Sequence, residues 1–194
     1  MPVGTTRKLC CALVVAALLV APGCNYFSRP VDDQTKEANK IAGEADALAA
    51  KATDAQDQAA KKEDDIKAEK KDKARLKKLS DEASALYDQG AEDAQQATDK
   101  YDQASKLKID AKYQEYLRLR AQQMRKQTAY FAALKEASAG PPDPKLKPGT
   151  KAYKDRVNDA RSRADRLKKE TGELKEQADK MQKENGDAFK AKSA

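Results

Sequence analysis

Histidine and tryptophan are absent from the 194 residues, and cysteine occurs only three times. Without histidine the chain lacks the side chain that titrates nearest neutral pH, and with it the commonest general base and metal ligand. No serine lies in a G-x-S-x-G context, and no glycine-rich loop could cradle a phosphate. The carboxylate groups Glu63-Asp64-Asp65 and Glu92-Asp93 are sequence neighbours, which diverge on a helix and so cannot converge on one substrate atom. These absences point away from an enzyme: no catalytic residue, no metal site and no cofactor is expected.

Aromatic residues make up only 5% of the chain and β-branched residues are sparse, so no segment reads as a strand. What is abundant is Ala, Lys, Glu, Asp and Gln, whose side chains lose little freedom in a helix. The expected fold is all-α, made of long helices with coiled-coil seams and one antiparallel hairpin, without a globular domain.

Long hydrophobic runs are also missing, with one exception. Arg7 and Lys8 precede the apolar run Leu9 to Ala21, and Gly23 stands directly before Cys24. This is the order of an export signal, and the run is shorter than the roughly 20 residues that span a bilayer. The ending Ala21-Pro22-Gly23-Cys24 resembles the lipobox of bacterial lipoproteins, although Pro22 departs from the usual small or aliphatic residue. The resemblance covers the first 24 residues and implies removal of 1–23, acylation of Cys24 and anchoring to the membrane through its acyl chains. Cys10 and Cys11 leave with the signal, so the mature chain would carry no free thiol and no disulfide. Asn25, which follows the cysteine, is not the aspartate that retains such proteins in the inner membrane of enteric bacteria. The resemblance thus implies a periplasm-facing envelope protein, with the outer membrane favoured.

Residues 24–34 read as anchor and tether, in which Pro30 opposes helix. From Thr35 to Ser138 no proline occurs, which permits one helix of about 150 Å or several in series. Ile41, Ala45, Leu48, Ala52, Ala55 and Ala59 alternate steps of four and three, the spacing of a coiled-coil seam. The seam then fails: from Lys61 to Lys78 only Ile66, Ala68, Ala74 and Leu76 are apolar, so this stretch reads as a solvated helix or a joint. Ser80 offers an N-cap, and a break near 79–81 is as compatible with the sequence as one continuous helix. Beyond it Ala83, Tyr87, Gly90, Ala94, Ala97, Tyr101 and Ala104 resume the stripe, which shifts again towards Leu107, Ile109 and Tyr113. Residues 139–149 hold Gly140, Pro141, Pro142, Pro144, Pro148 and Gly149, a turn that suits two antiparallel helices. The second arm, 150–191, repeats Tyr153, Val157, Ala160, Ala164, Leu167, Thr171, Leu174, Ala178 and Met181 without a slip. Its large residues are expected to pair with Met124, Phe131 and Leu134, making this hairpin the most stable part and leaving the membrane-proximal end weaker.

Lys67, Lys70, Lys71, Lys73, Arg75, Lys77 and Lys78 face only Glu69 and Asp72 in the same stretch, a local charge of +5. That run is either a patch for an anionic surface or the solvated face of a helix. After the signal leaves, 37 basic residues face 32 acidic ones, and export argues against nucleic acid as the partner. The sequence therefore suggests a non-enzymatic lipoprotein acting as spacer, tether or assembly partner, with protein partners or self-association through the helical seams. Two alternatives stand beside it. One is a binder of anionic polymers or the cell wall; the other is a stress protectant, because 38–62 and 91–106 resemble late-embryogenesis-abundant proteins in composition. Small helical lipoproteins of the murein-lipoprotein type join the wall through a terminal lysine, whereas here Lys190 and Lys192 lie near the end without being terminal.

Overall fold

The computed structural model describes residues 31–69, 72–139 and 147–190, all helix, turn or connection with no strand among them. Four helices follow one another: α1 (Val31–Ala68), α2 (Lys73–Ser105), α3 (Ala111–Ala139) and α4 (Lys151–Asn185). A short 3-10 turn, Gly186–Phe189, closes the described chain. No helix among the described residues is long and apolar enough to cross a membrane.

Each helix packs along the next, α1 on α2, α2 on α3 and α3 on α4, in alternating directions. The starts of α1 and α3 and the ends of α2 and α4 therefore lie at one end of the array, called here the proximal end. The distal tip collects the end of α1, the start of α2, the end of α3 and the start of α4. With 38 residues, α1 alone separates the two ends by about 57 Å.

The helix boundaries differ from those the sequence suggests. α1 begins at Val31, four residues earlier than expected, with Asp32 and Asp33 in its first turn, where carboxylates complement the exposed amides. The break left open near 79–81 does not occur: α2 runs through it, with Leu79 buried. The helices part between Ala68 and Lys73, within the weakly apolar stretch read as a solvated helix or a joint, and Asp72 caps α2 by accepting from the backbone N–H groups of Ala74 at 2.9 Å and Arg75 at 3.0 Å.

A second break, at 106–110, has no glycine or proline to announce it. There the lysines and the apolar residues alternate: Leu107 and Ile109 turn inwards and are buried, while Lys106 and Lys108 are exposed. Gln34 accepts from the Lys108 backbone N–H at 2.7 Å, and Asp110 starts α3 by accepting from the N–H of Lys112 at 2.7 Å. α4 begins as its sequence suggests, with Thr150 Oγ1 accepting from the Tyr153 N–H at 3.3 Å.

These two breaks change which residues meet. The largest apolar cluster lies at the proximal end, where Ala38, Ile41 and Ala45 of α1 enclose Tyr101, Tyr113, Tyr116, Leu117 and Met124. The alanines of α1 thus form seats for aromatic rings instead of a thin seam of their own. In burial, the expected weakness of the proximal end is reversed. Phe131 is also redirected: it is fully buried against Ala52, Ala59, Tyr87 and Ala94 of α1 and α2, away from the second arm. The α3–α4 hairpin keeps a smaller cluster, Tyr130, Ala133 and Ala164, with Leu134 and Leu167 packed on it. Along α4 only Ala160, Ala164 and Ala178 are buried, which fits a helix that packs along one neighbour.

Gly90 explains how Phe131 fits. A Cβ at this position would stand 2.7 Å from the Phe131 Cζ and 2.8 Å from Cε1. The Cζ end of the ring presses against the α2 backbone, so glycine is required for close approach and not for backbone freedom.

Candidate functional surfaces

Cys24, the expected lipid attachment residue, lies outside the described residues, as do Lys70 and Lys71 of the basic run. The described members of that run sit at the distal tip, and four of the five pair with a carboxylate within seven residues, three of them on their own helix. Lys67 pairs with Asp64 at 2.9 Å, Arg75 with Glu69 at 3.6 Å, Lys77 with Asp81 at 2.9 Å and Lys78 with Glu82 at 3.9 Å. Lys73 makes no ion pair among the described residues. Solvent screens exposed pairs of this kind, so they set surface charge more than stability.

The tip has a cleft that no linear pattern announces. Glu63, Ile66 and Lys67 of α1, Leu134, Ala137 and Ser138 of α3, and Arg161 of α4 line an open cavity of 490 Å³. It forms because α1 and α4 both flank α3 without packing along each other. Glu63 is the polar hub of its inner wall, accepting from Tyr87 Oη at 2.7 Å and standing 2.8 Å from Ser138 Oγ. Burial, and then the Glu63 carboxylate that accepts its proton, push the Tyr87 phenol well above its ordinary range.

Two further polar networks tie the helices together. In the first, Tyr101 of α2 donates to Asp46 of α1, while Arg120 of α3 donates to Asp46 Oδ1 at 3.0 Å and to Tyr101 Oη at 3.0 and 3.2 Å. The same guanidinium donates to Gln123 at 3.1 Å and lies 5.4 Å from the Tyr101 ring centroid. Burial drives the Tyr101 phenol upwards, with Arg120 opposing that shift.

In the second network, the Phe189 ring stacks on Tyr113 at 4.7 Å and leans on Tyr116 at 5.0 Å. Asn39 of α1 donates to the Phe189 carbonyl at 3.2 Å and accepts from Tyr113 Oη at 2.6 Å. Burial raises the Tyr113 phenol to about 12. This clasp brings the end of α4 back beside the start of α1, so Lys190 sits at the proximal end and not at the tip.

The tyrosines donate to carboxylate or amide oxygens, the carboxylates accept from neighbouring helices, and no cluster of potential metal ligands occurs among the described residues. No protein-family model, curated protein or solved structure matches the chain.

Proposed function

We propose that this chain is a non-enzymatic lipoprotein of the bacterial envelope, anchored through acyl chains on Cys24 and acting as a rigid spacer or assembly partner. The observation that carries the reading is the polarity of the array. α1 starts seven residues after Cys24, a reach of at most about 25 Å, and its other end lies about 57 Å further on. An acylated cysteine would therefore hold the proximal end near a membrane and present the distal tip away from it.

The interhelix bonds of Tyr101, Arg120 and Phe189 favour a chain folded in water over a stress protectant that becomes helical on drying. High, cooperatively melting helicity in dilute buffer is the expected result, and low helicity that rises only on drying would favour the protectant. The anchor is tested by detergent phase partitioning of the wild type and Cys24→Ser. The wild type should enter the detergent phase and the variant remain aqueous; if both remain aqueous after export, the anchored reading is wrong.

A further inference from the structure

The fold joins two basic segments that are far apart in sequence. The described residues of 61–69, 72–82, 135–139 and 147–163 form the distal third, and they contain 14 basic side chains against 10 acidic ones. The other described residues hold 18 basic against 21 acidic, so among the described residues the positive excess is carried at the tip. Among the described residues of these segments, Lys61, Lys73, Lys147, Lys154 and Arg161 are exposed and make no ion pair. Arg161 and Lys67 stand on opposite walls of the tip cleft.

We propose that the distal tip is a docking surface for a linear polyanion, held away from the membrane to which the chain is anchored. The orientation rests on the anchored reading above; the binding itself does not. Charge complementarity selects an anionic partner, because several cations there lack an acidic neighbour to neutralise them. A bilayer surface is the poorer fit. Interfacial binding requires apolar side chains that enter the headgroup layer, and the exposed large apolar residue among the described residues, Val31, is at the opposite end. A flexible polymer needs no such wedge and can follow cations from the start of α2 across the cleft to the start of α4.

The test uses the chain from Asn25 onwards, which carries no acyl group and so no lipid affinity of its own, in detergent-free buffer, with polyglutamate as the polymer and phosphatidylglycerol vesicles as the competing surface. Lys73→Glu, Lys147→Glu, Lys154→Glu and Arg161→Glu are combined in one variant. A control combines Lys40→Glu, Lys106→Glu, Lys108→Glu and Lys183→Glu, which are exposed cations of the proximal half and change the net charge equally. Circular dichroism checks that both remain helical, and a variant that unfolds is replaced by its Gln counterpart.

The expected result is salt-sensitive polyglutamate binding that weakens about tenfold or more in the tip variant and less than about twofold in the control. Equal losses in both variants would reduce the effect to net charge and overturn the proposal. So would preference for vesicles over polymer, or no polymer binding by the wild type. Phase partitioning of the acylated wild-type chain reads the anchor separately, so absence of tip binding with intact partitioning rejects this surface alone.

Discussion

Replacing Gly90 by Ala separates what the helix backbone prefers from what the packing allows. On propensity alone, Gly90→Ala in the middle of α2 should stabilise the protein by about 1 kcal/mol, since glycine is the more costly helix residue. The structure predicts the opposite sign. The new methyl would lie 2.7 Å from Phe131 Cζ, and that ring is fully buried among Ala52, Ala59, Tyr87 and Ala94. Overpacking of a filled core costs about 1–3 kcal/mol. Because the ring is enclosed on every side, the upper part of that range applies, leaving a net loss of roughly 1–2 kcal/mol. In thermal unfolding this is a fall of about 2–8 °C for a chain of this size. A second substitution supplies the control: in the Phe131→Leu background the ring is gone, and Gly90→Ala should then be neutral or stabilising. Urea titration of the four proteins gives the coupling energy directly. If Gly90→Ala alone raises stability by the full helix-propensity gain, Phe131 does not lie on the α2 backbone and the packing described here is wrong.

Phe189→Ala should release the end of α4, because it removes a nearly buried ring from Tyr113 and Tyr116; the cost is about 3 kcal/mol or less, and faster hydrogen exchange over 181–189 is the measurement. Arg120→Met should destabilise by about 1–3 kcal/mol by leaving Tyr101 and Asp46 without their shared donor, as read from urea unfolding at neutral pH. Alkali should also weaken the fold. Tyr113 is raised to about 12 when folded, so its contribution is fully present below about pH 10, the unfolded value, and is lost as pH rises through about 12. Phenolate absorbance should show tyrosines ionising late and together with unfolding; early, non-cooperative ionisation of all of them would contradict their burial.

Much of the local architecture was legible because it depends on spacing and composition. The stripe of α4, its Thr150 cap and the proline-rich reversal before it all follow from residues adjacent in sequence. The two further reversals were less visible. Asp72 and Asp110 each cap a helix, but both sit in lysine-containing connections without glycine or proline, so the strongest punctuation signals were missing. The shift of the apolar stripe after Ala104 was the one trace of the second break.

Once those breaks are misplaced, long-range pairings go with them. Met124 and Phe131 read as residues of a two-helix seam, whereas both serve a core shared with α1 and α2. The polar networks were hidden for the same reason: Asp46, Tyr101 and Arg120 are ordinary residues in sequence and acquire a role only when three helices meet. At the tip the basic run was visible, but its union with Lys147, Lys154 and Arg161 is a property of the fold alone.

The proposed anchored spacer stands or falls on the chemistry of its first mature residue. Intact mass spectrometry of protein extracted from membranes of the producing cell tests this most directly. The account predicts a chain that begins at Cys24 and carries the added mass of its acyl chains. A chain cleaved elsewhere, or one beginning at Cys24 without lipid, would contradict it.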